Sequence, residues 1–370
     1  MMREIKTIHQ FHPSCVPGDG VTKSLFYFRK LLRQLGFASE IYCENIAPEL
    51  RSEVRPLDQL ERNGNFLFLH HHSLGYQNAD WIRRLPVPRV LVYHNITPPH
   101  LLPEGELREL SRLGRIQLAE WAGECIGAIG VSEYNSEELR GNGYRNIATL
   151  PILVDLDELA TRAWDQATVE QLRTALNIVF VGRISENKRQ HELIEVFDEF
   201  LHFTSQPARL VLAGGITSDV YYRRLQQMVA ERGADGRVVF LGKVGDPVVQ
   251  SLYRVADIFL CLSEHEGFCM PIIEAMMHDV PVVARDAGAL AHTLGPGGLL
   301  LQADQTDPRK IAATLQVLID EPGLRRQVIQ GQRRNLERYR SARLLRELAA
   351  YLDGLGCAIH RVPAGADVTP

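Results

Sequence analysis

Val179-Phe-Val-Gly-Arg-Ile-Ser-Glu-Asn-Lys-Arg189 joins the end of an apolar run to a glycine turn and then to the start of a helix. An uninterrupted run such as Ile178-Val-Phe-Val181 fits a parallel strand covered on both faces, since a half-exposed strand would alternate apolar and polar residues. Outward from this stretch the same unit recurs. Strand-like segments occur at 4–10, 38–43, 65–70, 89–93, 126–131 and 147–150, and a second series at 177–181, 209–213, 237–241, 257–261 and 280–284. Amphipathic stretches such as 23–35 and 190–203 separate them, which implies βαβ units and parallel sheets. The polar stretch 155–174 lacks strand character and reads as a hinge.

The fold expected is therefore α/β, with two doubly wound, Rossmann-like domains facing each other across a cleft and ligands at the carboxyl ends of the strands. The first domain is placed at 1–165 and the second at 175–338. A helix at 340–354 is expected to pack back on the first domain, and 357–370 reads as a loose tail rich in Gly, Ala and Pro.

Bulk properties narrow the function. The chain has 370 residues, 45% hydrophobic and 23% charged, enough for two cores. Its net charge of −4 offers no general field for a polyanion, so no nucleic-acid partner is expected. The six cysteines are scattered without a C-x-x-C pair, which argues against a metal cluster or disulfide framework and for a reducing cytoplasm. No apolar run approaches the ~20 residues that span a bilayer, and the N-terminal segment lacks the apolar core of a signal peptide. A cytoplasmic enzyme, meeting a membrane at most from its cytosolic face, is the expectation.

Four segments carry chemistry. In Ser263-Glu-His-Glu-Gly-Phe-Cys-Met-Pro-Ile-Ile-Glu-Ala-Met276 a strand ends, a Gly-containing loop follows, and Pro271 suits the start of a helix whose N–H groups can face an anion. Glu266 lies in the loop and Glu274 in the first helical turns; one carboxylate can accept from sugar hydroxyls and the other from a vicinal ribose pair. Taken alone, the two acids read as a solvated loop residue and a helix N-terminal charge. Arg183 and Lys188 follow the turn at Gly182; taken alone they are solvent-facing charges at a helix start, but cations here can neutralise a departing phosphate. Arg89-Val-Leu-Val-Tyr-His-Asn-Ile-Thr-Pro-Pro99 delivers Tyr93, His94 and Asn95 at a strand's carboxyl end. Pro13-Ser-Cys-Val-Pro-Gly-Asp-Gly-Val21 places Gly18, Asp19 and Gly20 between the first strand and its helix.

Glu-Gly-Phe-Cys-Met-Pro-Ile-Ile-Glu resembles the Glu–seven residues–Glu motif of the family 4 glycosyltransferases, retaining enzymes of the two-Rossmann GT-B type. Gly-Arg-x-x-x-x-Lys, the His strand and the Gly-rich loop occur in that family's order. The resemblance implies that Glu266 contacts the donor sugar, Glu274 the ribose, and Arg183 and Lys188 the diphosphate. It implies that Gly267, Phe268, Cys269 and Met270 line the donor with Gly182, that His94 lies near the reacting bond, and that the Gly18–Asp19–Gly20 loop approaches the diphosphate or acceptor. It further implies a metal-independent hexosyltransferase with no cofactor. The Glu-His-Glu-Gly-Phe-Cys and Tyr-His-Asn-Ile-Thr-Pro spellings are similar to mannosyl- and rhamnosyl-type polysaccharide enzymes. That favours a GDP-mannose-type donor and a surface-glycan or lipid-linked acceptor. A UDP-sugar-dependent transferase, a nucleotide-sugar epimerase, a phosphorylase and a non-catalytic nucleotide-sugar-binding partner remain as alternatives. Base, sugar, acceptor, linkage and oligomeric state are not encoded legibly.

Two other signals are read as structural. Asp155-Leu-Asp157 spells a metal-binding Asp-x-Asp but resembles the family's hinge, with Leu153 at its usual Gly. His70-His71-His72 cannot converge on one ion, because adjacent strand residues point to opposite faces. One of the three, with Ser73, is expected to line the acceptor side.

Overall fold

The computed structural model describes residues 5–357. They form two compact units: one built from the chain up to Leu156 together with the stretch from Arg338, the other from Asp157–Glu337.

The first unit is built on a seven-stranded sheet whose described strands all pair in parallel. From edge to edge its strands are Arg55–Pro56, Ile41–Cys43, Ile8–Phe11, Leu67–His72, Arg89–Tyr93, Gly127–Gly130 and Ile147–Thr149. In chain order this is 3-2-1-4-5-6-7, so the winding reverses between Ile8–Phe11 and Leu67–His72. Leu67–His72, Arg89–Tyr93 and Gly127–Gly130 are buried throughout. Phe11, Phe68, Tyr93 and Trp121 are at the centre of this core. The helix Gly20–Gln34 starts where Asp19 accepts from Thr22 N at 3.0 Å, satisfying one of its unpaired donors. The last helix, Ser341–Gly354, joins this unit: Tyr351 donates to Asn146 O at 3.0 Å, and Tyr27 donates to Ser341 Oγ at 3.0 Å. Cys357, read from sequence as the start of a loose tail, is fully buried. Its N–H is bonded to Leu352 O, closing that helix. Residues 358–370 of that tail, like residue 4 of the first expected strand, lie outside the described residues.

The second unit carries a six-stranded parallel sheet in the order Val238–Gly242, Ala208–Ala213, Leu176–Val181, Ile258–Cys261, Val282–Arg285, Leu299–Leu301. Here too the chain order is 3-2-1-4-5-6, with reversal between Leu176–Val181 and Ile258–Cys261. Residues 155–174, read from sequence as a hinge, are partly helical. They contain the helices Leu156–Ala160 and Gln166–Leu172. Asp165 caps the latter and exchanges hydrogen bonds with Ser251. Among the described residues no helix is long and apolar enough to cross a membrane.

Close backbone contact fixes the loop after Leu67–His72. A Cβ on Gly75 would meet Leu110 O at 2.4 Å, and one on Gly114 would meet Gly75 N at 2.6 Å. Helix Glu106–Glu120 can approach this far only because both residues lack a side chain. Gly114→Ala is expected to destabilise the protein by ~1–3 kcal/mol, the ordinary cost of overpacking, read as a lowered melting temperature. An unchanged value would mean the helix moves aside freely.

Candidate functional site

In each sheet the chain order reverses between two neighbouring strands, and in open α/β sheets the carboxyl ends of such strands are where ligands bind. In the second unit the two strands flanking that point are Leu176–Val181 and Ile258–Cys261. The first runs into Gly182, Arg183 and Lys188; the second runs into Glu266. Lys188 Nζ lies 2.5 Å from Glu266 Oε1, with side chains 12% and 11% exposed. A 78-residue separation is thus closed by sheet topology. The two loops are also joined by Glu264 N donating to Asn187 O at 2.8 Å. Arg183 is exposed. Its carbonyl accepts from Gln190 Nε2 at 2.8 Å.

The Glu266 loop is held from several sides. Ala289 N donates to Glu266 O at 2.8 Å, and Gly288 (φ +57°) packs so closely that a Cβ there would meet the same oxygen at 2.4 Å. Thr293 Oγ1 donates to Phe268 O at 2.5 Å. Cys269 takes up a left-handed conformation (φ 69°, ψ 73°) and caps the helix Met270–Met277, with Pro271 in its first turn. Glu274 lies inside that helix, 6% exposed, and accepts from Tyr253 OH at 2.9 Å. Burial, then the Glu274 charge, hold the Tyr253 hydroxyl well above the usual tyrosine range, so it stays a donor. Sequence reading missed Tyr253: it sits on an amphipathic helix 21 positions before Glu274, with no local pattern to mark it.

Cys261 and Cys269, eight positions apart, come together with Glu266: the two sulfurs and a carboxylate oxygen lie within 4.8 Å of one another.

In the first unit the reversal point is spanned by His12 Nε2 and Ser73 Oγ, 3.1 Å apart. Gly18 has φ +82°, Asp19 is occupied as the helix cap, and Gly20 is the first helical residue. His94 follows Arg89–Tyr93, its N–H bonded to His72 O at 2.9 Å. The histidine run divides between faces. His70 and His72 both pack on Trp121, at 4.7 and 4.9 Å between ring centres, and His72 Nε2 contacts Gly114 O at 2.8 Å. His71 points the other way, stacked on His94. Asp155 of the Asp-x-Asp spelling is ion-paired with Lys30.

The proton positions around His94 follow from pairing. Gln10 Nε2 donates to Leu25 O at 3.1 Å, so Gln10 Oε1 accepts from His71 Nε2 at 3.1 Å. Burial, then the neighbouring His94, hold His71 well below the usual histidine range, so it is neutral and its Nδ1 is an acceptor. His94 Nε2 therefore donates to it at 2.8 Å. That leaves His94 Nδ1 with a lone pair, buried and without a hydrogen-bond partner among the described residues. The atom is an acceptor suited to a ligand hydroxyl. Neither Gln10 nor His71 stood out in sequence as part of this arrangement.

Burial pushes His94 down to about 3 and His72 to about 4. Both folded values lie below the ordinary 6.5, so the unfolded chain takes up protons that the folded chain refuses. Stability is therefore full above about pH 6.5 and falls as pH is lowered toward 4. Melting temperatures between pH 8 and 5 check this. A flat profile would show that these rings protonate in place.

Residues 166–335 match the family of glycosyl transferases group 1. The chain is 28% identical to a D-inositol 3-phosphate glycosyltransferase of Nocardia farcinica over 71% of its length and 60% of that protein's. It is 33% identical to the O-antigen chain mannosyltransferase B of Escherichia coli over 39% of its length and 37% of that protein's. The chain thus spans under two thirds of these relatives. Among solved structures it superposes on Anabaena Alr3699/HepE in complex with UDP and glucose with a TM-score of 0.73 at 18% identity, covering 94% of this chain and 100% of that one. Sucrose-phosphate synthase from Thermosynechococcus elongatus gives 0.71 at 17% identity, covering 95% and 99%. Residues 166–335 carry the signature of glycosyl transferases group 1, and the chain as a whole has the GT-B fold of two Rossmann-like α/β units.

Proposed function

We propose that the protein is a retaining glycosyltransferase that moves a hexose from a nucleoside diphosphate sugar to a hydroxyl of a surface glycan or lipid-linked saccharide. The observation that carries this reading is the Lys188–Glu266 pair at the topological switch point, with the Arg183 guanidinium exposed on the same loop. Breaking a glycosyl–phosphate bond places negative charge on the β-phosphate, and a fixed ammonium and guanidinium stabilise that leaving group without reorganisation. In this assignment Lys188 exchanges part of its contact with Glu266 for the diphosphate, and Glu266 accepts from sugar hydroxyls. Glu274 binds the ribose diol, its second partner Tyr253 keeping the carboxylate in place. Gly182, Gly267, Phe268, Cys269 and Met270 line the donor, and Gly18, Asp19 and Gly20 approach the diphosphate or acceptor. His94 offers Nδ1 to a ligand hydroxyl.

The cations do the electrostatic work, so catalysis is assigned no metal and no cofactor. The acceptor hydroxyl attacks from the face the phosphate leaves, and the departing phosphate takes its proton. A glycosyl–enzyme adduct trapped and found by mass spectrometry would overturn that step. The donor is placed with the GDP-mannose class, supported by likeness to an O-antigen mannosyltransferase. A UDP-sugar donor is the second reading, favoured by the neighbour whose complex holds UDP and glucose.

Thermal shifts with UDP, GDP, ADP and their sugars test the assignment. A ligand at 100 times its Kd is expected to add ~2.7 kcal/mol of stability. With the donor so identified, Lys188→Ala and Glu266→Ala are each expected to lower turnover ~100-fold or more, as loss of one transition-state partner does. Near-normal transfer by both variants would remove these residues from the mechanism.

A further inference from the structure

Beyond its place in donor binding, the Glu266 loop holds a second constellation. Cys261 ends a buried strand and is itself fully buried; Cys269 sits at a helix start in a left-handed conformation; Glu266 lies between them in sequence. Their two Sγ atoms and a carboxylate oxygen lie within 4.8 Å of one another. A tetrahedral ion with metal–sulfur bonds of ~2.3 Å and metal–oxygen bonds of ~2.0–2.2 Å holds its ligand atoms ~3.5–3.8 Å apart. Small side-chain rotations reach that spacing. The backbone is already fixed, through Ala289 N on Glu266 O, Thr293 on Phe268 O, and the cap geometry of Cys269. Ser263 Oγ lies 3.4 Å from Cys261 Sγ, where it can hydrogen-bond a coordinated thiolate.

Charge balance favours the same reading. With both thiols protonated, the Lys188–Glu266 pair is neutral. A divalent cation that displaces the two thiol protons leaves two thiolates, one carboxylate, one ammonium and the ion, again neutral. The nearly buried site therefore accepts the ion without gaining net charge, avoiding the main cost of burying one.

We propose that Cys261, Cys269 and Glu266 form a binding site for a thiophilic divalent cation of the Zn2+ class, and that this cation competes with the donor for Glu266. The second half rests on the donor assignment above; the first does not. Bound there, the ion occupies the carboxylate that the sugar requires and acts as an inhibitor.

The test uses the full chain, reduced and metal-stripped, titrated with Cd2+ in a metal buffer. A thiolate-to-Cd2+ absorption in the near ultraviolet is expected to saturate near one equivalent, with release of two protons and displacement of Cd2+ by Zn2+. Cys261→Ser and Cys269→Ser are expected to abolish it, while Cys43→Ser, which removes the other adjacent thiol pair with Cys15, leaves it intact. Glu266→Gln, which keeps both sulfurs, is expected to weaken Cd2+ binding ~10-fold, comparable to the effect of removing a metal's supporting group. No band in the wild type, or a band that survives both serine variants, overturns the site. A nucleoside diphosphate sugar that stabilises the protein is expected to raise the apparent Cd2+ Kd at least tenfold with free Cd2+ held constant. No change overturns the competition while leaving the cation site standing. If no nucleotide or sugar nucleotide in the panel binds, the donor assignment fails and the competition falls with it, again leaving the cation site to the spectroscopic result.

Discussion

The ion pair between Lys188 and Glu266 is the constraint around which the second unit is organised. Its partners are 78 residues apart and meet because a parallel sheet of this winding places two strand ends side by side at its point of reversal. A nearly buried ion pair is a weak source of stability, since each charge loses water to form it. Its persistence here depends on support from the surrounding backbone. Asn187 and Glu264 tie the loops together, and the bare backbone of Gly288 lets a neighbouring turn close onto Glu266. That arrangement keeps a cation and an anion close together at low exposure where two strands end.

The first unit solves a different problem at its own reversal point. It buries several imidazoles where charge is expensive, and satisfies them through a directed chain from the Leu25 carbonyl through Gln10 and His71 to His94. Each member fixes the proton position of the next, because an amide that donates on one side must accept on the other. The chain ends at a single lone pair. A histidine held neutral and oriented in this way serves as an acceptor, not as an acid, across the ordinary pH range.

The adjoining thiols extend the same economy of charge. Two cysteines brought against the carboxylate can exchange two protons for a divalent ion with no net change in charge, so a loop organised around one ion pair has a second way to be occupied. The relatives share this chain's fold at low identity, whereas the loop chemistry rests on individual side chains at the strand ends.

The sequence by itself determined the α/β class, most of the strands and the segments that carry chemistry. Continuous apolar runs, glycine turns and a proline at a helix start act locally, over a few residues, and are legible there. The strand Leu299–Leu301, only partly buried, and the helices within 155–174 were not, because short or polar segments take their structure from what they pack against. Only the tertiary structure decided that Lys188 meets Glu266, that Tyr253 holds Glu274, that Gln10 and His71 set the proton on His94, and that Cys261 meets Cys269. Each pairing joins residues on different elements, and their distance depends on strand order and loop closure, which no local pattern of residues records.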